Sequence, residues 1–567
     1  WTEMADTAAT TAGNGVAKLR PNGFDSYLKS RDPDQIAAHE LNSPASRVLI
    51  DEDWKQPGGY LPAIGPARKA KNWLSGAVTD LLKPLGAGVY AAIEDKPNKP
   101  GVWTTSWLPK IGALAALAFD RERLLGSAKT PESVERMDDY VVPGYAHTGP
   151  TPSGAFANEN FPTAGTVGTP NPIHGPITEY KEWGQDTRLP DVSKLAEKYG
   201  YRNGNMIKAP NLSAHVWAHL QQLVHDVMQT MPDDEKKYAV PTTKGSPEQR
   251  LGIDNVYYRA DAKDEKYGDM NGVTGAWDMS HIYGSSIEMV DKIRTHPANG
   301  ELCPDGKIYL EGMDTQGRGG KWLPTEIDPA TGEEQLITGM NKNITMPLLA
   351  EHTLYARHHN WVCDVLKERH PDWHPNQIFQ IARRVVTMTY VKIHTGAWTD
   401  TTFAAQPVVE GLHANLYGRS ERKKPFHLQR IFDPEGGSHP IADGLAGNRT
   451  IVNDIEVPEQ KGKYFPVAYR FAHAIVNDYF DRAKFEIRAP GDPASSDEKI
   501  SLGELRDLDG QRFMKEVGLG SVYHGLMNTT MGAPTINNYA DMFNRMPSEE
   551  GVLDLFQAEL MKDRQRG

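Results

Sequence analysis

Apolar residues recur with the helical period through most of the chain beyond residue 190. In NLSAHVWAHLQQLVHDVMQT, Val216, Leu220, Leu223, Val224 and Val227 fall on one side of a helix that Asn211 can cap. Residues 346–369 (MPLLAEHTLYARHHNWVCDVLKER) and 374–398 (HPNQIFQIARRVVTMTYVKIHTGAW) read as two long helices. The second opens with Pro375 in its first turn, where the missing N–H is harmless. The run YFPVAYRFAHAIVNDYF predicts a buried helix over 464–484, and Ser548 with two Glu behind it predicts a last helix over 548–566. Between 299 and 338 the pattern turns polar, with turn signals PDGK, QGRGGK and DPATGEE, which predict loops and a hairpin. Residues 141–175 are dense in Pro, Gly and Thr and read as a long loop arm. There is no repeat and no low-complexity tract. The expectation is a mainly α protein with few short strands: an N-terminal extension and loop arm over 1–190, packed as one unit with a large helical domain over 191–567.

Composition narrows the function. The chain has 567 residues, 39% hydrophobic and 24% charged, which permits a large core. Its net charge of −12, without a long basic run, argues against a nucleic-acid partner. Cys303 and Cys363 are too few for a disulfide framework and read as free structural thiols, as in a reducing compartment. No stretch of about 20 apolar residues exists to span a bilayer. The start, WTEMADTAAT, has no signal pattern, and its missing initiator Met reads as a trimmed chain. A cytoplasmic or peripheral-membrane location is expected. The apolar stretches 73–92 and 107–119 are candidates for contact with a membrane surface, packing against the main body being the other reading.

Four short stretches carry candidate chemistry. Gln221 and His225 are i and i+4 on a helix and share a face, while Asp226 points about 100° away. A neutral His beside a Gln can hold a peroxide or dioxygen over a metal; an ordinary structural His–Asp pair is the plain alternative. Thr274, Asp278 and Ser280 offer oxygen side chains at even spacing on an extended loop, and a hard cation such as Ca²⁺ seeks such oxygens, to which Asp226 would add a carboxylate. The run 339–360 ends in Arg357, His358, His359 and Asn360; its plain reading is a polar helix face, since adjacent His residues point apart. In AYRFAH (468–473), His473 on an apolar segment, with Arg470 three residues before it, suits an axial metal ligand beside an anion-binding Arg. The plain reading is a core histidine.

Together and in this order, the four stretches resemble the animal-type haem peroxidase superfamily, which spans peroxidases, cyclooxygenases and fatty-acid α-dioxygenases. QQLVHD resembles the distal Q-x-x-x-H-D motif, VTGAWDMSHIYGS the calcium loop, HTLYARHHN the H-T-L-x-x-R-x-H-N segment, AYRFAH the proximal motif, and DLFQAELMKDRQRG the C-terminal helix. The resemblance implies a single helical haem-peroxidase-like domain over about 210–567. It implies His225 as distal His with Gln221 beside it, and His473 as iron ligand with Arg470 on a haem propionate. It further implies Asp226, Thr274, the Ala276 carbonyl, Asp278 and Ser280 as Ca²⁺ ligands. Glu559 aligns with the position that would accept a hydrogen bond from His473.

Three departures matter. The radical Tyr of the dioxygenases lies three residues before the proximal His; Arg470 stands there, and Tyr469 is one residue further back. The family's distal Arg is matched by Lys342, which keeps the charge without the planar fork. Val224 replaces one ester-forming acid and Thr345 lies near the other, so non-covalent haem b is expected. The implied function is a haem peroxidase using H₂O₂ or an organic hydroperoxide on a small organic substrate. The alternative is a fatty-acid dioxygenase inserting O₂; a haem-free binding scaffold is the third reading.

Overall fold

The structure is a computed structural model. It describes residues 152–154, 166–168, 190–242, 250–402, 451–452, 455–456, 469–487, 497–548 and 551–560, short of a few positions inside those ranges. All belong to the compact unit formed by residues 70–567.

Helices dominate. Among them are α1 (His215–Val227), α2 (Ser280–Tyr283), α3 (Ile287–Arg294), α4 (Met346–Arg369), α5 (Pro375–Ile393), α6 (Asp507–Val517) and α7 (Leu519–Met527). The strands form two-stranded antiparallel pairs, among them β1 (Lys208–Ser213) with β10 (Thr530–Gly532), β2 (Pro232–Pro241) with β3 (Asn255–Asp261), β4 (Glu311–Met313) with β5 (Gly319–Trp322), β6 (Thr325–Ile327) with β7 (Glu334–Leu336), β8 (Tyr479–Asp481) with β9 (Lys499–Ser501), and β11 (Met546–Ser548) with β12 (Gly551–Leu553). The expected polar region 299–338 thus supplies two hairpins.

The centre of the unit is α4, which packs against α1, α5, α6 and α7. Leu348, Leu349, Ala350, Ala356 and Cys363 of α4 meet Leu220 and Leu223 of α1 and Ile378, Phe379, Ala382 and Val386 of α5 in one hydrophobic core. α4 and α5 form where their apolar periodicity predicts, and His374 caps α5 by accepting from Asn376 N. α5 runs on through a wider π-turn, His394–Trp398. Cys303 and Cys363 are free and buried.

Three local expectations fail. Asn211 lies in β1 rather than capping α1, whose N-cap is Ala214 without a side-chain bond. Ser548 ends β11, which pairs antiparallel with β12. The helix behind it begins after Asp554, which accepts from Gln557 N and Ala558 N and is the working cap. Residues 469–484 are not an α-helix: a 3₁₀ turn over Tyr469–Ala474 leads into β8. Their apolar run reflects burial between other elements, which a continuous hydrophobic string cannot distinguish from a helix. The loop arm over 141–175 and the stretches 73–92 and 107–119 lie outside the described residues, apart from two short pieces of the arm.

Candidate active site

The first half of the site is built on α1. His225 is buried, and among the described residues its Nδ1 has no hydrogen-bond partner. Burial, with His281 nearby, pushes its imidazole down to about 3, so it stands as a neutral base. Asp226 turns to the 274–280 loop. Its Oδ1 accepts from Ser280 N at 2.6 Å, and its backbone oxygen accepts from Ser280 Oγ at 2.7 Å. Asp278 Oδ1 accepts from Thr274 Oγ1 at 2.8 Å and from Ser280 N at 3.0 Å. Arg383 of α5 holds the outer oxygen of Asp278 at 3.0 Å. Burial raises the Asp278 carboxyl, Arg383 pulls it down and the Asp226 charge pushes it up again. Met279 between them is fully buried in a left-handed conformation (φ 57°). Such a backbone is costly for a residue with a side chain and persists where the surroundings over-determine it. Here it folds Asp278 and Ser280 back onto the same Asp226.

A second layer braces this one. The Gln222 amide meets His281 Nε2 at 2.9 Å, and His281 Nδ1 faces Asp226 Oδ1 at 3.3 Å. The His281 and His352 rings lie edge to face at 5.0 Å, and His352 Nδ1 pairs with Thr338 Oγ1 at 2.9 Å. The 338–340 segment is stitched onto α2 through Gly339 N to Ile282 O and Met340 N to His281 O. Only glycine fits at 339, since a Cβ there would stand 2.2 Å from Ser280 O and 2.3 Å from Gly284 N. Gln222, His281 and Thr338 are therefore parts of the site that the motifs did not single out, and His352, the first residue of the H-T-L segment, joins them. The signal for Gln222 in the sequence was the polar stripe His219, Gln222, Asp226 along one face of α1.

Gln221 is half-buried and donates to the Asn343 carbonyl at 3.1 Å, which fixes the loop that carries the exposed Lys342. His358 and His359 point apart as expected. His359 is buried between Tyr283 Oη and Gly306 O, each at 3.0 Å, and His358 stacks on Trp361. Thr345 is buried, and Val224 is half-buried.

The second half of the site surrounds His473. Its Nδ1 pairs with Tyr539 Oη at 2.9 Å, and its ring packs on Phe543 at 4.8 Å. The segment that follows is tied down by main-chain oxygens rather than by a helix. The Arg202 guanidinium, wholly buried, donates to the carbonyls of Ala474 (3.0 Å), Val476 (3.0 Å) and Asn538 (3.0 Å) and to the Asp478 carboxylate (2.8 Å). Asn538 donates to Ala474 O at 3.1 Å, and Ala540 N to His473 O at 3.2 Å. Gly532 admits this segment, since a Cβ there would stand 2.4 Å from Ala474 O. Arg202, Asn538 and Tyr539 carry no motif. Ala276, Glu559 and the side chains of Tyr469 and Arg470 lie outside the described residues. Among the described residues, Tyr539 is a partner of His473 Nδ1.

Residues 150–567 match the animal haem peroxidase family. The chain belongs to that family. This haem peroxidase is therefore an oxidoreductase, and haem is its cofactor. It is 26% identical over 531 residues to alpha-dioxygenase PIOX of Oryza sativa subsp. japonica, covering 85% of this chain and 78% of that one. A solved fatty acid alpha-dioxygenase of Oryza sativa with palmitic acid superposes with a TM-score of 0.64 at 21% identity, over 89% of this chain and 76% of that one. Peroxidase A of Dictyostelium discoideum gives 0.52 at 16% identity, over 74% and 76%. At these identities the two structures show that the haem peroxidase shares their helical fold.

The residues present fit the groups implied. Buried polar atoms without a partner among the described residues (His225 Nδ1, Gln222 Oε1 and His352 Nε2) collect around α1, where a polar ligand would satisfy them. For a cation, Asp226 Oδ2 is buried and without a hydrogen-bond partner among the described residues, the Asp278 carboxylate sits against Arg383, and the Thr274 and Ser280 hydroxyls bond to Asp278 and Asp226. Among the described residues no three His, Cys, Asp or Glu side chains group as a metal site. A cation here would complete its shell from hydroxyl and carbonyl oxygens, as Ca²⁺ does and Zn²⁺ does not.

Proposed function

We propose that this haem peroxidase reduces H₂O₂ or an organic hydroperoxide and oxidises a small organic substrate, using non-covalent haem b and one structural Ca²⁺. The observation that carries the reading is His225: a buried imidazole, kept neutral by burial and held on a helix that Asp226 anchors. A neutral imidazole can take the peroxide proton and return it to the departing oxygen, general acid–base work. The bound haem would supply the redox chemistry, exchanging electrons with peroxide and substrate. His473 would hold it through Nε2 while Tyr539 occupies Nδ1, and Arg470 would pair with a propionate. Gln221 and Lys342 would orient the oxygens. Asp226, Thr274, Asp278, Ser280 and the Ala276 carbonyl would hold the Ca²⁺ and so fix the angle of α1.

The second reading is dioxygenation of a fatty acid. Its support is the likeness to plant alpha-dioxygenases over most of the chain. Against it stands Arg470, three residues before His473, where those enzymes place their radical Tyr.

The test is oxygen uptake on a long-chain fatty acid with only trace peroxide, beside turnover of hydroperoxide with a phenolic donor. Donor oxidation without sustained oxygen uptake, abolished in His473→Ala, is expected. Sustained uptake would establish the dioxygenase reading instead. Neither activity from a protein with an intact Soret band would sink both.

A further inference from the structure

We propose that Trp277 is a surface oxidation site: a bulky electron-rich phenol or aryl amine gives up an electron there, and a row of contacting rings carries it inward. The inference rests on the peroxidase reading above and names where a donor too large to reach His225 would react. His225 is 6% exposed, whereas Trp277 is 36% exposed on the 274–280 loop.

From Trp277 inward each ring meets the next. Its indole stands edge-on to His394 at 5.3 Å and 87°. His394 stacks on Trp398 at 4.8 Å and on His219 at 5.3 Å. His219 meets Tyr390 at 5.1 Å, Tyr390 meets His281 at 6.2 Å, and His281 meets His352 at 5.0 Å. All are contact separations for aromatic pairs. His281 and His352 belong to the layer that braces α1 beside His225, through Gln222 and Thr338. The row therefore starts at the surface and ends where the His225 half of the site begins. The π-turn His394–Trp398 makes its outer junction, and Trp398 Nε1 ties that turn to α1 by donating to Val216 O at 2.9 Å. Such local widenings of a helix recur at functional sites.

Indoles and phenols release single electrons far more readily than imidazoles do. Trp277, Trp398 and Tyr390 are therefore the stations, and the histidines are the packing between them. His219 Nε2 and His394 Nδ1 lie 3.2 Å apart. Burial pushes the His219 imidazole down to about 4 and that of His394 down to about 3, so both are neutral at pH 7. No charged imidazole then stands beside the indoles to oppose loss of an electron, and the Val216 carbonyl turns its negative end to Trp398. The hydroperoxide is the terminal oxidant. Its O–O bond breaks as it takes two electrons and two protons, giving an alcohol and water, or water alone from H₂O₂. Two donor molecules balance this, each losing one electron at Trp277 and one proton to solvent.

The experiment treats the haem-loaded protein with H₂O₂ and a nitroso spin trap, and locates the adducts by peptide mass spectrometry. An adduct on Trp277 is expected in the wild type. It should weaken in Tyr390→Phe or Trp398→Phe, each of which keeps a ring in place and removes the oxidisable group. An unchanged Trp277 adduct in both variants would overturn the route. A second measurement compares tyramine coupled to dextran, which is too large to reach His225, with free tyramine. Trp277→Phe is expected to lose oxidation of the coupled form relative to the free one, and an unchanged ratio would overturn the surface site. No Trp277 adduct in a wild type that oxidises free tyramine would overturn the proposal and leave the peroxidase reading standing. No oxidation of free tyramine by a protein with an intact Soret band would overturn that reading and the surface site with it.

Discussion

The two halves of the site are built by different means. The side around His225 is helical: His225, Asp226 and Gln222 lie within two turns of α1, and Asp226 and Gln222 take partners from α2, which the 338–340 segment braces, while Arg383 of α5 holds the adjoining Asp278. The side around His473 has one 3₁₀ turn, and its geometry depends on Arg202, Asn538 and Tyr539, 271, 65 and 66 residues away in sequence. In the first, neighbouring residues share chemistry because the helix puts i, i+3 and i+4 together. In the second, groups distant in sequence meet because backbone oxygens are collected by a guanidinium fork. One half should respond to insult through its cation and its packing, the other through a single buried Arg.

The largest effect is expected at Arg202. Arg202→Met strips the buried donors from the Asp478 carboxylate and from the carbonyls of Ala474, Val476 and Asn538, at a cost of about 3–5 kcal/mol, visible in urea unfolding. A cost below about 1 kcal/mol would show that the His473 side does not depend on this one residue. On the other side, Gly339→Ala forces a methyl into the α2 backbone and should cost about 1–3 kcal/mol, measured the same way. If it were as costly as Arg202→Met, the contrast between the halves would fail.

Cation removal comes next. Ca²⁺ at a hundred times its dissociation constant should add about 2.7 kcal/mol to stability, seen as a higher melting temperature that a chelator reverses. Asp226→Asn should abolish that increment while leaving the response of the Arg202 variant intact. No shift with Ca²⁺ in the wild type would remove the cation from the account of α1.

The smallest effect sharpens the picture at the far end of α1, where His215 Nε2 and Glu351 Oε1 lie 2.6 Å apart. Burial lowers the His215 value, but the Glu351 charge and hydrogen bond outweigh it and the net shift is upward. Burial raises the Glu351 value, but His215 outweighs it and the net shift is downward. The Glu351 contribution is present above the unfolded carboxylate value of about 4.3 and fades as pH falls through the lower folded value. The His215 contribution is complete below about 6.5 and fades as pH rises through the raised folded value. The pair should therefore add most between about pH 4.3 and 6.5. Glu351→Gln should flatten the stability profile on both flanks, and an unchanged profile would show that the pair contributes nothing.

The long helices, the polar hairpin region, the free cysteines and the even spacing of Thr274, Asp278 and Ser280 were legible in the sequence, because each follows from local period, turn chemistry, residue count or spacing; that Asp226 joins that loop was implied by the family resemblance. Tertiary structure alone decided that the AYRFAH run is a 3₁₀ turn entering a strand, that Ser548 belongs to a hairpin, and that Gln222 rather than Gln221 meets His281. It also decided what holds His473. A period of 3.6 or 2 reports which face is buried, not what buries it. Arg202 and Tyr539 meet His473 across most of the chain, and no local rule of spacing relates residues that only the closed fold brings together.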